Sequence, residues 1–287
     1  MTQMDYDGHI QKQRGEWNAV AGAWEKYDQW LAETFASFDQ ALIRRAGIKP
    51  GHKTLDLGSG TGNPALAAAK IVGPGGGVVG LDVAEKMLEV ARRRAGAQGI
   101  TNVEFHACDA GAIPFDGESF DAATSRFCLM FLPDVAKALR QVHRVLKPGG
   151  RFTAAVWATP EKNLFFTLAM RAMRDLISLP KMDPSAPGPF AQGQPGVLAA
   201  HMREAGFQDA HEEAAPVEMR FPSMDFYVSN MKEMAAPLRA ILDNMDAPTR
   251  ARALSAIVEE AAKHQEPNGV IRFSGEALIV SGVKGSA

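Results

Sequence analysis

Two cysteines, Cys108 and Cys128, are all that the 287 residues contain. So few thiols exclude a disulfide framework and a thiolate metal site, and they suit a reducing compartment. No run of about 18 apolar residues occurs, which excludes a membrane-spanning helix. The opening segment, MTQMDYDGHIQKQ, has no basic start leading into an apolar stretch, so it does not read as a secretory signal and the expected location is the cytoplasm. Excess charge is missing too: the formal net charge is −2, which gives no electrostatic footprint for a nucleic acid. The basic run Arg92–Arg94 falls where a helix should end and is expected on a solvated face. His, Cys and carboxylate residues show no metal-ligand spacing, so no metal is expected.

What is present is the composition of an ordinary globular chain, 46% apolar and 22% charged, long enough to bury a substantial core. From Thr54 to Val156 short apolar runs alternate with helical spacing, which predicts βαβ units and a parallel sheet. Strands are expected at Thr54–Leu57, Val78–Asp82, Val103–Ala107, Phe120–Arg126 and Arg151–Val156. Helices are expected at Pro64–Val72, Glu85–Gln98 and Asp134–Leu146, the last stopped by KPGG at Lys147–Gly150. Further on, a helix over Lys162–Leu179 precedes an irregular Pro- and Gly-rich tract from Pro180 to Pro195. GVLAAHMREAGF then reads as a helix and Glu212–Arg220 as a strand. Residues 223–266 read as helical, with Leu254, Ile257, Val258 and Ala261 as an apolar stripe, before a final strand in IRFSGEALIVSGVK.

The loop after the first strand, TLDLGSGTGN, carries glycine at 58, 60 and 62. Strand, glycine loop and helix together form a nucleotide-binding arrangement, because loop N–H groups and the helix start face the ligand. The spacing is not the G-x-G-x-x-G of dinucleotide sites, and the phosphate-gripping lysine of a P-loop is absent. Asp56, two places before the first glycine, is a poor neighbour for pyrophosphate but a good one for a cationic, phosphate-free nucleoside such as S-adenosylmethionine. Asp82, ending the second strand, is placed to accept from ribose hydroxyls, and Asp109, after the third, from an adenine amino group.

The blocks LDLGSGTGN, VVGLDVAEKMLEVARRRA, ACDAGAIPFDGESFDAATS and ALRQVHRVLKPGGRF, in this order, resemble the class I S-adenosylmethionine-dependent methyltransferases, in the ubiquinone/menaquinone-biosynthesis-like branch. The resemblance is specific from about residue 40 to 158 and loose beyond 160. It implies an α/β fold: a doubly wound, seven-stranded, mostly parallel Rossmann-like sheet whose last strand is antiparallel. A helical flap (1–39), a core (40–222 and 267–287) and an inserted helical cap (223–266) are the implied units. It places Asp56, Gly58, Gly60 and Gly62 around the methionine end of the cofactor and Asp82 on the ribose. Met87 would lie against adenine, Asp109 and Ala110 at its edge, Arg126 on the methionine side, and Trp24 and Tyr27 near the donor from the flap.

Each assignment has a plainer counterpart. The glycines can make a bare turn, Asp82 can cap the following helix, Asp109 can form a turn, and Met87, Trp24 and Tyr27 can be packing residues. Arg126 can pair with a surface acid. His143 reads as structural, His201 as surface helix, and Cys128 as a small buried hydrophobe; His9, His52 and His106 have no evident partner. The expected reaction is methyl transfer to a small, apolar acceptor, leaving S-adenosylhomocysteine, with no general base identifiable. No Asn/Asp-Pro-Pro-aromatic motif follows the fourth strand, where the chain reads SRFCLMFLPD, which disfavours base methylation of nucleic acids. Nine of the 13 methionines fall after residue 160, suiting either a greasy pocket or an ordinary cap core. A nicotinamide-dependent oxidoreductase and a non-catalytic S-adenosylmethionine-binding protein stay open as alternatives.

Overall fold

Every residue of β1 (Lys53–Leu57) after its first is buried, which demands cover on both faces of the sheet. In the computed structural model, which describes residues 3–177 and 186–286, that cover comes from helices on each side. α1 (Gln3–Lys26) and α2 (Asp28–Arg45) precede β1; α3 (Ala65–Val72) leads to β2 (Gly77–Asp82), and α4 (Glu85–Ala97) to β3 (Val103–Ala107). β4 (Phe120–Arg126) is followed by α5 (Val135–Val145), β5 (Leu146–Trp157), α6 (Leu164–Met173) and α7 (Val197–Glu204). β6 (Phe207–Phe221), α8 (Met224–Met234), α9 (Ala236–Asp243), α10 (Ala247–Ala262) and β7 (Ile271–Lys284) complete the chain.

The seven strands run in the order β3-β2-β1-β4-β5-β7-β6, with β7 antiparallel to both its neighbours and the other pairings parallel. Strand order reverses at β1, which lies between β2 and β4, and this is where open α/β sheets leave a crevice for a ligand. Alternate residues feed two cores. Val79 and Leu81 of β2 enter the larger one with Phe38 and Leu42 of α2, while Val78 enters the smaller one with Leu66 and Leu88. α5 shows why such a segment is a helix: Asp134 accepts the Lys137 amide at 2.8 Å, and Val135, Ala138, Leu139, Val142 and Val145 form its buried stripe.

The strands match the sequence expectations closely in the first half and shift in the second. β5 starts at Leu146, not Arg151: KPGG lies within the strand, interrupted at Gly149 (φ 77°), with a register irregularity opposite Phe120–Ala122. β6 begins at Phe207, because β7 is long enough to pair with it down to Lys284. The helix expected from Lys162 opens as a single tight turn, Pro160–Lys162, before α6, and residues 178 and 179 of that expectation lie outside the described residues. So do residues 180–185 of the proline-rich tract; 186–195 form turns. Residues 223–266 hold three helices, and the buried stripe of α10 is Ala253, Ile257 and Ala261, with Leu254 and Val258 at its margin.

The Arg92–Arg94 run is not simply solvated. Arg92 pairs with Glu85 and donates to the Phe105 carbonyl, and Arg93 pairs with Glu25 of α1. Arg94, largely buried, holds Asp28 at 2.7 Å and the Thr61 carbonyl of the glycine loop. An arginine stem buries easily while its planar head serves several acceptors, so the run fastens α4 to its surroundings.

Candidate cofactor site

After β1 the chain must turn back towards α3 while staying against the end of β2. The Gly58 and Ser59 amides donate to the Leu81 carbonyl at 2.7 and 2.9 Å, and the Gly60 amide donates to Asp82 Oδ2 at 2.8 Å. Gly58 has φ 73°, and a Cβ there would stand 2.3 Å from Cys128 Cβ, so only glycine fits. Gly62 is pressed onto Leu66 and Ala91 and packs the loop against α3 and α4. Gly60 is the glycine whose surroundings stay open, with Met87 Cε 3.8 Å from where a Cβ would be.

Above this loop is a cleft at the carboxyl ends of β1–β4. Its floor is Gly58–Thr61; Asp82, Val83 and Met87 line one side, and Asp109 and Ala110 the next. Arg126, Phe127, Cys128 and Phe131 form the far wall, and Ile10, Gln13, Trp17 and Trp24 of α1 close it over. Of the residues expected here, Trp24, Gly58, Gly60, Asp82, Met87, Asp109, Ala110 and Arg126 therefore come together.

Three do not line the cleft. Asp56 lies fully buried beneath the floor: its Oδ1 accepts from the Thr124 hydroxyl at 2.8 Å, while Oδ2 has no partner. Burial pushes its carboxyl up to about 6, against the pull of that hydroxyl. Gly62 sits below, as described. Tyr27 is buried edge-on against Phe226 of α8, ring centroids 5.2 Å apart, with no hydrogen-bond partner for its hydroxyl.

Asp82 does more than face a ligand. Its Oδ1 accepts the Ala84 amide at 2.9 Å, so one carboxylate braces both the glycine loop and the entry to α4. Burial raises its pKa, and the two amides oppose the rise. Both cysteine thiols are pushed up by burial, Cys108 to about 11, which leaves them inert.

Arg126 pairs not with a surface acid but with Asp39 of α2, at 2.6 Å, both side chains almost completely buried. Asn63 of the loop donates to the other Asp39 oxygen at 3.2 Å, and the guanidinium lies 5.3 Å from the Phe35 ring centroid. Sequence reasoning passed over Asp39. The available signal was an acid inside the apolar stripe Leu31, Phe35, Phe38, Leu42. It also passed over Tyr6, whose hydroxyl reaches Asp109. The histidines stay outside the chemistry: His143 packs on Phe207, His201 is half-buried rather than on the surface and hydrogen-bonds Gln192 Oε1 through Nδ1, and His9 meets the Phe131 carbonyl. His106 pairs with Glu104, and His52 Nδ1 is buried without a partner. Among the described residues no group of three or more His, Cys, Asp or Glu could hold a metal ion.

The donor set fits a phosphate-free nucleoside carrying positive charge. Asp82 and Asp109 offer acceptors at the rim, Asp56 leaves a buried carboxylate oxygen orphaned below, and the buried Trp24 indole N–H has no partner. Among the described residues no lysine lines the cleft and Arg126 is the one arginine that does, a lining ill-suited to a pyrophosphate.

Comparison with known proteins agrees with that chemistry. A family described as a methyltransferase domain matches residues 48–179. Demethylmenaquinone methyltransferase of Geobacillus kaustophilus is 34% identical over 177 residues, covering 58% of this chain and 76% of that protein. The ubiquinone/menaquinone biosynthesis C-methyltransferase UbiE of a Marinomonas species is 38% identical, over 42% of this chain and 49% of that protein, so the match spans about half of that relative. The YcgJ protein of Bacillus subtilis superposes with a TM-score of 0.58 at 24% identity, covering 87% of this chain and 98% of that one, and shows the same fold.

The chain belongs to the class I S-adenosylmethionine-dependent methyltransferases, in their ubiquinone/menaquinone-like branch. S-adenosylmethionine is its cofactor and a small molecule its methyl acceptor. Nothing among the relatives supports the nicotinamide-dependent alternative.

Proposed function

We propose that this enzyme methylates a flat, apolar acceptor, and that the acceptor enters between the far wall of the cleft and the helices after β5. The supporting observation is an aromatic face. Phe127 lines the cleft and stacks on Trp157, centroids 4.1 Å apart and planes 2° from parallel. Phe165 and Phe166 adjoin Trp157, and Phe190 adjoins Phe166. Flat rings bind such surfaces by stacking and edge contacts. The names of the relatives direct the choice towards a quinone-type ring.

In this reading Asp82 takes the ribose hydroxyls, Asp109 and Ala110 the base edge, Met87 and Trp24 its faces, and Arg126 the amino-acid carboxylate. Asp56, from beneath Gly58 and Gly60, supplies negative charge to the cationic end. The bound cofactor supplies a methyl group already activated by a sulfonium. The protein's task is to align the acceptor and to exclude water, which Trp17 and Trp24 do from α1. Residues 1–39 then act as the flap, 40–222 and 267–287 as the core, and 223–266 as the cap. The net charge of −2 supports a small-molecule acceptor rather than a nucleic acid, and the scarcity of cysteine supports a cytoplasmic location. No helix among the described residues is long and apolar enough to cross a membrane.

The test uses S-adenosylmethionine labelled in its methyl group, offered with reduced demethylnaphthoquinone, reduced benzoquinone or small amine acceptors. Label passing into the quinol is expected. Label passing only into an amine contradicts the apolar acceptor, and cofactor binding without any turnover supports a non-catalytic binding protein.

A further inference from the structure

Asp109 is already engaged from an unexpected direction. Its Oδ1 accepts the Gly111 amide at 2.9 Å, and both its oxygens lie 2.9 Å from the hydroxyl of Tyr6, on α1. The Tyr6 ring is buried, with the Lys137 ammonium 4.1 Å from its centroid. The approach is close enough that a Cβ on residue 111 would stand 2.3 Å from the Tyr6 oxygen. Burial and the neighbouring Asp109 raise the Tyr6 pKa, so the hydroxyl keeps its proton and donates. A carboxylate has about four lone-pair positions, so these two donors leave Asp109 an acceptor for the cleft it lines.

We propose that Tyr6 is a positioning residue for recognition of the cofactor's base. It holds the Asp109 carboxylate where it can accept an exocyclic amino group, and thereby links reading of the base to the seating of α1. The inference rests on the reading of Asp109 as the group at the adenine edge. Other contacts of α1 do not share this property. Arg14 donates to the Val83 carbonyl at 3.3 Å, and Asn18 accepts the Lys86 amide at 3.0 Å; both bond backbone at the rim. Tyr6 bonds a side chain that faces the ligand. A 6-amino purine offers that carboxylate a donor, whereas a 6-oxo purine turns lone pairs towards it. Discrimination between the two reports the orientation of Asp109, which docking of α1 alone does not change.

S-adenosylhomocysteine and its 6-oxo counterpart, S-inosylhomocysteine, are titrated calorimetrically into the wild type, Asp109→Asn, Tyr6→Phe and Arg14→Ala. The wild type is expected to prefer the amino form by at least about tenfold, and Asp109→Asn to lose that preference. Tyr6→Phe, which keeps the buried ring, is expected to narrow the preference several-fold, while Arg14→Ala weakens both ligands alike. A wild-type ratio in Tyr6→Phe, beside an Asp109→Asn that has lost its preference, overturns the role of Tyr6 and leaves that of Asp109 standing. An undiminished preference in Asp109→Asn overturns the adenine-edge reading and the inference with it.

Discussion

The ends of β1–β4 and the helices after β5 are held by different kinds of interaction. Around the cleft, buried polar groups are joined in pairs, Arg126 with Asp39, Asp56 Oδ1 with Thr124 and Ser125 with the Leu57 carbonyl, while Asp56 Oδ2 and the Trp24 indole N–H stay without a protein partner. In α6–α10 the interior is apolar, with Met173, Leu242, Ile257 and the rings of Phe221, Tyr227 and Phe273, and charges pair at the surface, as Arg239 does with Asp243. Asn230 of α8 and Asn163 are exceptions, the latter spanning the Ala158, Thr159 and Glu276 backbone where β5 leaves the sheet. A buried polar network admits one arrangement, whereas an apolar interior tolerates exchange of similar volumes. The cofactor end is thus rigidly specified, and the acceptor end is adjustable.

The largest effect expected from this contrast is at Asp39. Removing one partner of a buried pair strands the other charge, so Asp39→Ala should cost about 3–5 kcal/mol, read by urea denaturation. Its counterpart in α9, Asp243→Ala, breaks an exposed pair and should cost at most about 0.5 kcal/mol. Equal costs would remove the distinction between the two ends.

Next in size is a pH effect at Asp56. Its folded pKa, about 6, lies above the ordinary 3.8, so the folded state holds the proton more tightly than the unfolded chain. The contribution of Asp56 to stability is therefore fully present below about pH 4, falls as pH rises to about 6 and then levels, by ~3 kcal/mol in all. Asp56→Asn should abolish that step in denaturation curves taken across this range. A step that persists unchanged belongs to another group.

A smaller effect is expected in α1, whose hold on the cleft depends on a few contacts. Hydrogen exchange across residues 14–31 should slow about tenfold when S-adenosylhomocysteine is added, and Trp24→Ala should weaken its binding. Equal exchange with and without ligand would make α1 a permanently docked helix and Trp24 a packing residue.

The sequence revealed the parts of the site that are local. Asp82 and Asp109 stand at strand ends whose apolar runs are easily located, so spacing placed them, whereas Met87, inside α4, came only from the family resemblance. Asp39 and Tyr6 reach their partners across 87 and 103 residues, and no local signal names such a pair. Asp56 was correctly put at the end of β1, but its side chain points into the sheet interior, where alternation along the strand sends it beneath the loop. Tyr27 went astray for a related reason. Three residues on from Trp24, at the junction of α1 and α2, it turns to α8 instead of the cleft.

The most direct test is calorimetric titration of S-adenosylhomocysteine into Asp82→Ala. Loss of two charge-assisted hydrogen bonds to the ribose, each worth roughly 1.5–3 kcal/mol, predicts at least about a hundredfold weaker binding. Because Asp82 also braces the Gly60 and Ala84 amides, thermal denaturation of the same variant must show the protein folded. A folded Asp82→Ala that binds with near wild-type affinity would contradict the placement of the cofactor at the ends of β1–β4.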